Sequence, residues 1–73
     1  MDLDHEKFNI SMRKFLKKVG VTSQQKIEEG VRLSLEKGAL PNNELRVRMT
    51  LEIEDLKLNH QINGEITLEI LND

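Results

Sequence analysis

The spacing of apolar side chains changes once along this chain, near Glu44. Ahead of that point Phe8, Met12, Phe15, Leu16 and Val19 fall at i, i+4, i+7, i+8 and i+11, which lines one side of a helix, with Asp2 or Asp4 placed to cap its start. Gly20 is a residue that readily takes the left-handed conformation ending a helix. Thr22, with Gln25 three positions on, has the form of a capping box, and Ile27, Val31 and Leu35 then repeat every four residues up to Gly38. The pattern predicts helices over about 4–19 and 23–37. The next segment, a linker from Gly38 to Asn43, holds the only proline.

After Glu44 the period is two. Leu45, Val47, Met49, Leu51 and Ile53 alternate with Arg46, Arg48, Thr50 and Glu52, the pattern of a strand covered on one face, and Leu56, Leu58, Ile66, Leu68 and Ile70 continue it on even numbers. A Glu54-Asp55 turn would pair Ile53 with Leu56, Leu51 with Leu58 and Met49 with His60. A two-residue Asn63-Gly64 turn would mix the faces, whereas a three-residue loop over 62–64 pairs His60 with Ile66, Leu58 with Leu68 and Leu56 with Ile70. On the other face Lys57 would then lie between Glu52 and Glu69, with Thr67 beside Asn59. The expected fold is α+β: two N-terminal helices packed on a three-stranded antiparallel β-meander, with strands over about 44–53, 56–61 and 65–71, in a single domain of 73 residues.

Length makes that packing matter, because a chain this short buries only about 60% of its unfolded surface. There is no cysteine, so neither disulfides nor thiolate zinc can supplement the core, and a reducing compartment is indicated. No apolar run approaches the roughly 20 residues of a membrane span, and the acidic opening Met1-Asp2-Leu3-Asp4 lacks the basic start of a targeting signal. These features give the expectation of a cytoplasmic protein with no membrane association. The net charge of −2 is small, but its distribution is uneven: residues 1–22 carry five Lys or Arg against three acids, and residues 41–73 carry three against seven.

The stretch from Lys14 to Val31 has the outline of a DNA-reading helix pair. Its second helix would present Glu28, Glu29 and Glu36 against Lys26, Arg32 and Lys37, a neutral surface unsuited to phosphates, and Lys26 stands where the motif usually has an aliphatic residue. Arg13, Lys14, Lys17 and Lys18 on the first helix are candidate anion or nucleic-acid contacts; cations late in a helix also simply suit its dipole. Arg46 and Arg48, side by side on the outer face of the first strand, are candidates for clasping a phosphate or carboxylate, or for guarding a sheet edge. Ile10 and Leu33 lie off the two stripes and are candidate self-association residues.

Catalytic chemistry finds little support. His60 projects to the apolar side near Met49 and Ile66 with no second ligand close by, so no metal site is expected. Glu52 and Glu54 point the same way on one strand without a pocket, which reads as a solvated charge ladder. The serines lack a histidine partner and the four glycines are single, so no nucleophile and no phosphate loop emerges. No catalytic residue, cofactor or metal is assigned, and the chain is read as a non-enzyme.

The run from Phe8 to Leu40, together with Arg48 to Leu68, resembles a family of small proteobacterial proteins of unknown function. That resemblance implies a bacterial setting and no chemistry. The favoured reading is a protein-interaction module with a protein partner or as a homodimer; the alternative is a nucleic-acid-binding accessory protein using the helix-turn-helix-like segment and the basic residues of helix 1.

Overall fold

A computed structural model describes residues 1–40, 43–69 and 71, and the chain divides into two compact units, Met1–Ala39 and Leu40–Asp73. The first unit is one α-helix, α1, His5–Glu36. Asp4 caps it: its side chain accepts a hydrogen bond from the backbone N–H of Lys7 at 3.1 Å, and its carbonyl accepts from Phe8 at 3.0 Å. At the other end the N–H of Gly38 donates to Leu35 at 3.1 Å and that of Ala39 to Ser34 at 2.8 Å, the paired bonds of a Schellman stop. Gly38 has φ +63°, a conformation that costs other residues more than glycine.

The two helices expected over 4–19 and 23–37 are therefore a single helix, and the helix-turn-helix outline is gone. Gly20 does not take a positive φ, and the Thr22 hydroxyl donates backwards to the Lys18 carbonyl at 2.8 Å instead of capping a new start. Glycine within a helix costs about 1 kcal/mol relative to alanine. Breaking the helix there would instead orphan four carbonyls and four N–H groups. No proline forces that break, and Val19, Ser23, Ile27 and Val31 carry the four-residue spacing straight through. Stop and start residues permit a break without requiring one.

The second unit is a two-stranded antiparallel sheet of β1, Glu44–Ile53, and β2, Leu58–Thr67. The first strand has the expected bounds. The meander does not form: the strands expected over 56–61 and 65–71 are replaced by one that runs through Asn63 and Gly64. The loop is a 3-10 turn, Glu54–Leu56, closed by Lys57 at φ 52°, whose N–H donates to Glu54 at 3.0 Å. Ile53 thus pairs with Leu58, Leu51 with His60, Met49 with Ile62, Val47 with Gly64 and Leu45 with Ile66.

This register differs from the expected one by two residues. A two-residue shift keeps every side chain on its face, so alternation alone cannot distinguish the pairings. Strand length can. All ten residues of β1 find partners only if β2 is equally long, and a loop over 62–64 would leave residues 44–47, four of the ten, without partners. Lys57 lies in the turn and not between Glu52 and Glu69, Thr67 faces Glu44 and not Asn59, and His60–Ile66 and Leu58–Leu68 are not pairs. Ile70, expected opposite Leu56, lies outside the described residues.

Candidate interaction surface

Each unit leaves its apolar side chains open. No described residue is buried. In α1 the stripe runs from Phe8 to Ser34, about 40 Å at 1.5 Å per residue, while Leu35, seven and a half turns after Phe8, falls on the opposite side with Lys17. Its half-buried members are small or β-branched, Val19, Ser23, Ile27, Val31 and Ser34, while Phe15 and Leu16 remain 56% and 53% exposed. In the hairpin the face built from Leu45, Val47, Met49, Leu51 and Ile53 meets Ile66, Gly64, Ile62, His60 and Leu58, and Met49, Leu58 and Ile62 are exposed. Gly64 leaves a notch opposite Val47. Leu56, at the loop, is 69% exposed.

Fusing the helices reassigns the two self-association candidates. Leu33 stands eighteen residues after Phe15, five full turns, so it lies on the same line as that phenylalanine and belongs to the apolar side. Ile10 is nine residues before Val19, two and a half turns, which puts it opposite the stripe. Their exposures agree, 39% for Leu33 and 62% for Ile10. Ser23 is obscured in the sequence because a second helix would begin there. Reading the four-residue spacing across Gly20 reveals it as a stripe residue.

Three of the four cations lie across α1 from the stripe. Lys14, Lys17 and Lys18 each lie two and a half turns from a stripe residue, namely Ser23, Phe8 and Ile27, whereas Arg13 falls on the line of Val31, five full turns before it. The ion pairs among the described residues, Lys26–Glu29 at 3.7 Å and Arg32–Glu36 at 3.3 Å, are both in the C-terminal half of the helix and include none of these four. Gln24 donates to Glu28 at 2.9 Å in the same half. Such exposed pairs contribute little to stability.

Arg46 and Arg48 share the polar face of the hairpin, as the alternation requires. Arg46 pairs in register with Glu65, and the Arg48 Nε donates to Asn63 at 3.4 Å. They line an open depression of about 780 Å³ with Val47, Asn63, Gly64 and Glu65. A carboxylate opposite one arginine and an amide engaging the other weaken the depression as an anion site. The four helix cations belong to one unit and these two arginines to the other.

His60 lies opposite Leu51 on the apolar face, exposed, and not between Met49 and Ile66. Glu52 is on the polar face opposite Asn59 while Glu54 is in the turn, so they do not share a strand face. Among the described residues no three of His, Cys, Asp and Glu come together as a metal ion would need. No helix among them is long and apolar enough to cross a membrane.

Among the described residues the chain is α+β, with one α-helix and one hairpin, each with an exposed apolar face. The chain belongs to a family of unknown function, DUF6494, whose model matches residues 3–69. No curated protein and no solved structure matches it.

Proposed function

We propose that this protein is a cytoplasmic, non-enzymatic protein-interaction module whose apolar faces are completed by another protein surface. The observation that supports this is that no described residue is buried although the helix carries a stripe about 40 Å long. Energetics point the same way. A lone two-stranded hairpin is at best marginally stable, because cross-strand pairs contribute about 0.2–1 kcal/mol each against an ordering cost of about 1–2 kcal/mol per residue. A lone helix likewise depends on packing of its apolar face. The absence of cysteine suits a reducing compartment.

The test is the behaviour of the chain diluted until it is monomeric. The reading expects weak, non-cooperative unfolding and strong binding of an apolar fluorescent dye, both lost on association. A monomer that unfolds cooperatively and leaves the dye unbound needs no partner and overturns it.

A further inference from the structure

We propose that the occupant of the α1 stripe is α1 of a second copy, lying antiparallel and crossing near Val21; this rests on the interaction-module reading above. Whatever covers the stripe must run alongside it for about 40 Å, and a second α1 has that length. The direction is set by two independent asymmetries along the helix.

The first is volume. The N-terminal half of the stripe is bulky, with Phe8, Met12, Phe15 and Leu16, and the C-terminal half, apart from Leu33, is slimmer, with Ser23, Ile27, Gly30 and Ser34. Antiparallel pairing about Val21 sets Phe8 beside Ser34, Met12 beside Gly30, Phe15 beside Ile27 and Val19 beside Ser23, all residues of the apolar side. Large side chains meet smaller ones along most of the seam, as close packing requires. Parallel pairing would stack the two phenylalanine segments on each other and leave the glycine and serine segments gapped.

The second is charge, weaker because most of the cations lie across the helix from the stripe. Residues 5–20 of the helix carry five cations, Lys7, Arg13, Lys14, Lys17 and Lys18, against Glu6; residues 21–36 carry Lys26 and Arg32 against Glu28, Glu29 and Glu36. Antiparallel copies place a cationic half beside a slightly acidic one twice, whereas parallel copies place the two cationic halves together. Area is sufficient too. With roughly 70–100 Å² left on each large stripe side chain, two facing stripes remove roughly 1,000–1,500 Å², within the range of specific interfaces.

The chain has no native cysteine, so single cysteines report the geometry directly. Light scattering at high micromolar concentration is expected to give twice the 8.5 kDa chain mass. Ser23→Cys, within one turn of the crossing, is expected to form a disulfide with its own copy under mild oxidation. Ser34→Cys is expected not to, because its two copies sit about 39 Å apart along the axis, yet it should link to Asn9→Cys when the two proteins are mixed. Leu16→Glu, on a side chain already exposed in the lone helix, should weaken self-association by about 100-fold while helix content in the monomer holds.

A dimer in which Ser34→Cys links to itself, or in which none of these sites links, overturns the antiparallel pairing and leaves the interaction-module reading standing. A monomer that still binds the dye, or a chain that floats with anionic vesicles instead of self-associating, overturns the second copy as occupant. A cooperative, dye-silent monomer overturns both.

Discussion

The helix, of 32 residues, and the hairpin, spanning 44–67, solve the same problem of an amphipathic chain with different kinds of bond. In the hairpin every residue of β1 faces a residue of β2, and the register itself divides the unit into an apolar face and a polar face that pairs Arg46 with Glu65 and Thr50 with Gln61. In α1 all backbone bonds are local, and the division into sides comes only from counting residues per turn. The hairpin is therefore sensitive to where pairing begins, and the helix to whether counting is interrupted. Gly64 and Gly20 make the contrast concrete: both resemble breaks in the sequence, and both are run through, one because a long partner strand needs it and the other because the ladder of bonds is worth more than the break.

Substitutions sharpen this comparison unequally. The largest effect is expected from Ser23→Pro. In a continuous helix proline removes a bond and clashes with the preceding turn, costing about 3 kcal/mol or more, whereas at the first position of a separate second helix it would be welcome. A marked loss of helical circular dichroism is the expected result; retention of the wild-type signal would restore the two-helix reading.

A smaller pair of effects, opposite in sign, separates the glycine that the helix tolerates from the one it uses. Gly20→Ala meets nothing within 4 Å and should stabilise the helix by about 1 kcal/mol. Gly38→Ala has space as well but must hold φ +63°, and should destabilise by about 1 kcal/mol. Thermal unfolding of the two variants side by side checks the signs. Equal responses would mean the two glycines share one conformation.

The smallest effect belongs to the hairpin. Gly64→Thr fills the notch opposite Val47 in open space, without a positive φ to resist it, and is expected to stabilise the strand pair by about 0.5 kcal/mol. Slower amide exchange at Val47 and Met49 is the readout. Faster exchange would argue that the strand needs a bend at this point.

Parity and local chemistry are legible in the sequence. The bounds of β1, the outward placement of Arg46 and Arg48, and the terminal roles of Asp4 and Gly38 are all carried by residues within a few positions of one another. The remainder requires a comparison across distance. Pairing Ile53 with Leu58 or with Leu56 leaves the same faces, so only the full length of the ladder selects between them. The side taken by Leu33 likewise depends on whether turns are counted from Phe15 or from a new start at Thr22. A break placed at Gly20 therefore moves a candidate residue from one side of the helix to the other. The cationic set is legible as a cluster, but the coincidence of Arg13 with the line of Val31 becomes visible only once the helix is continuous.

The Schellman stop bears on how this chain tolerates rearrangement. Its bonds tie Gly38 and Ala39 to Leu35 and Ser34, and the opening bonds tie Asp4 to Lys7 and Phe8, so both ends of the helix are closed by residues of the first unit itself. The segment carries its own punctuation. Residues added or removed after Ala39 would alter the chain downstream and leave these end bonds, and hence the length of the helix, as they are.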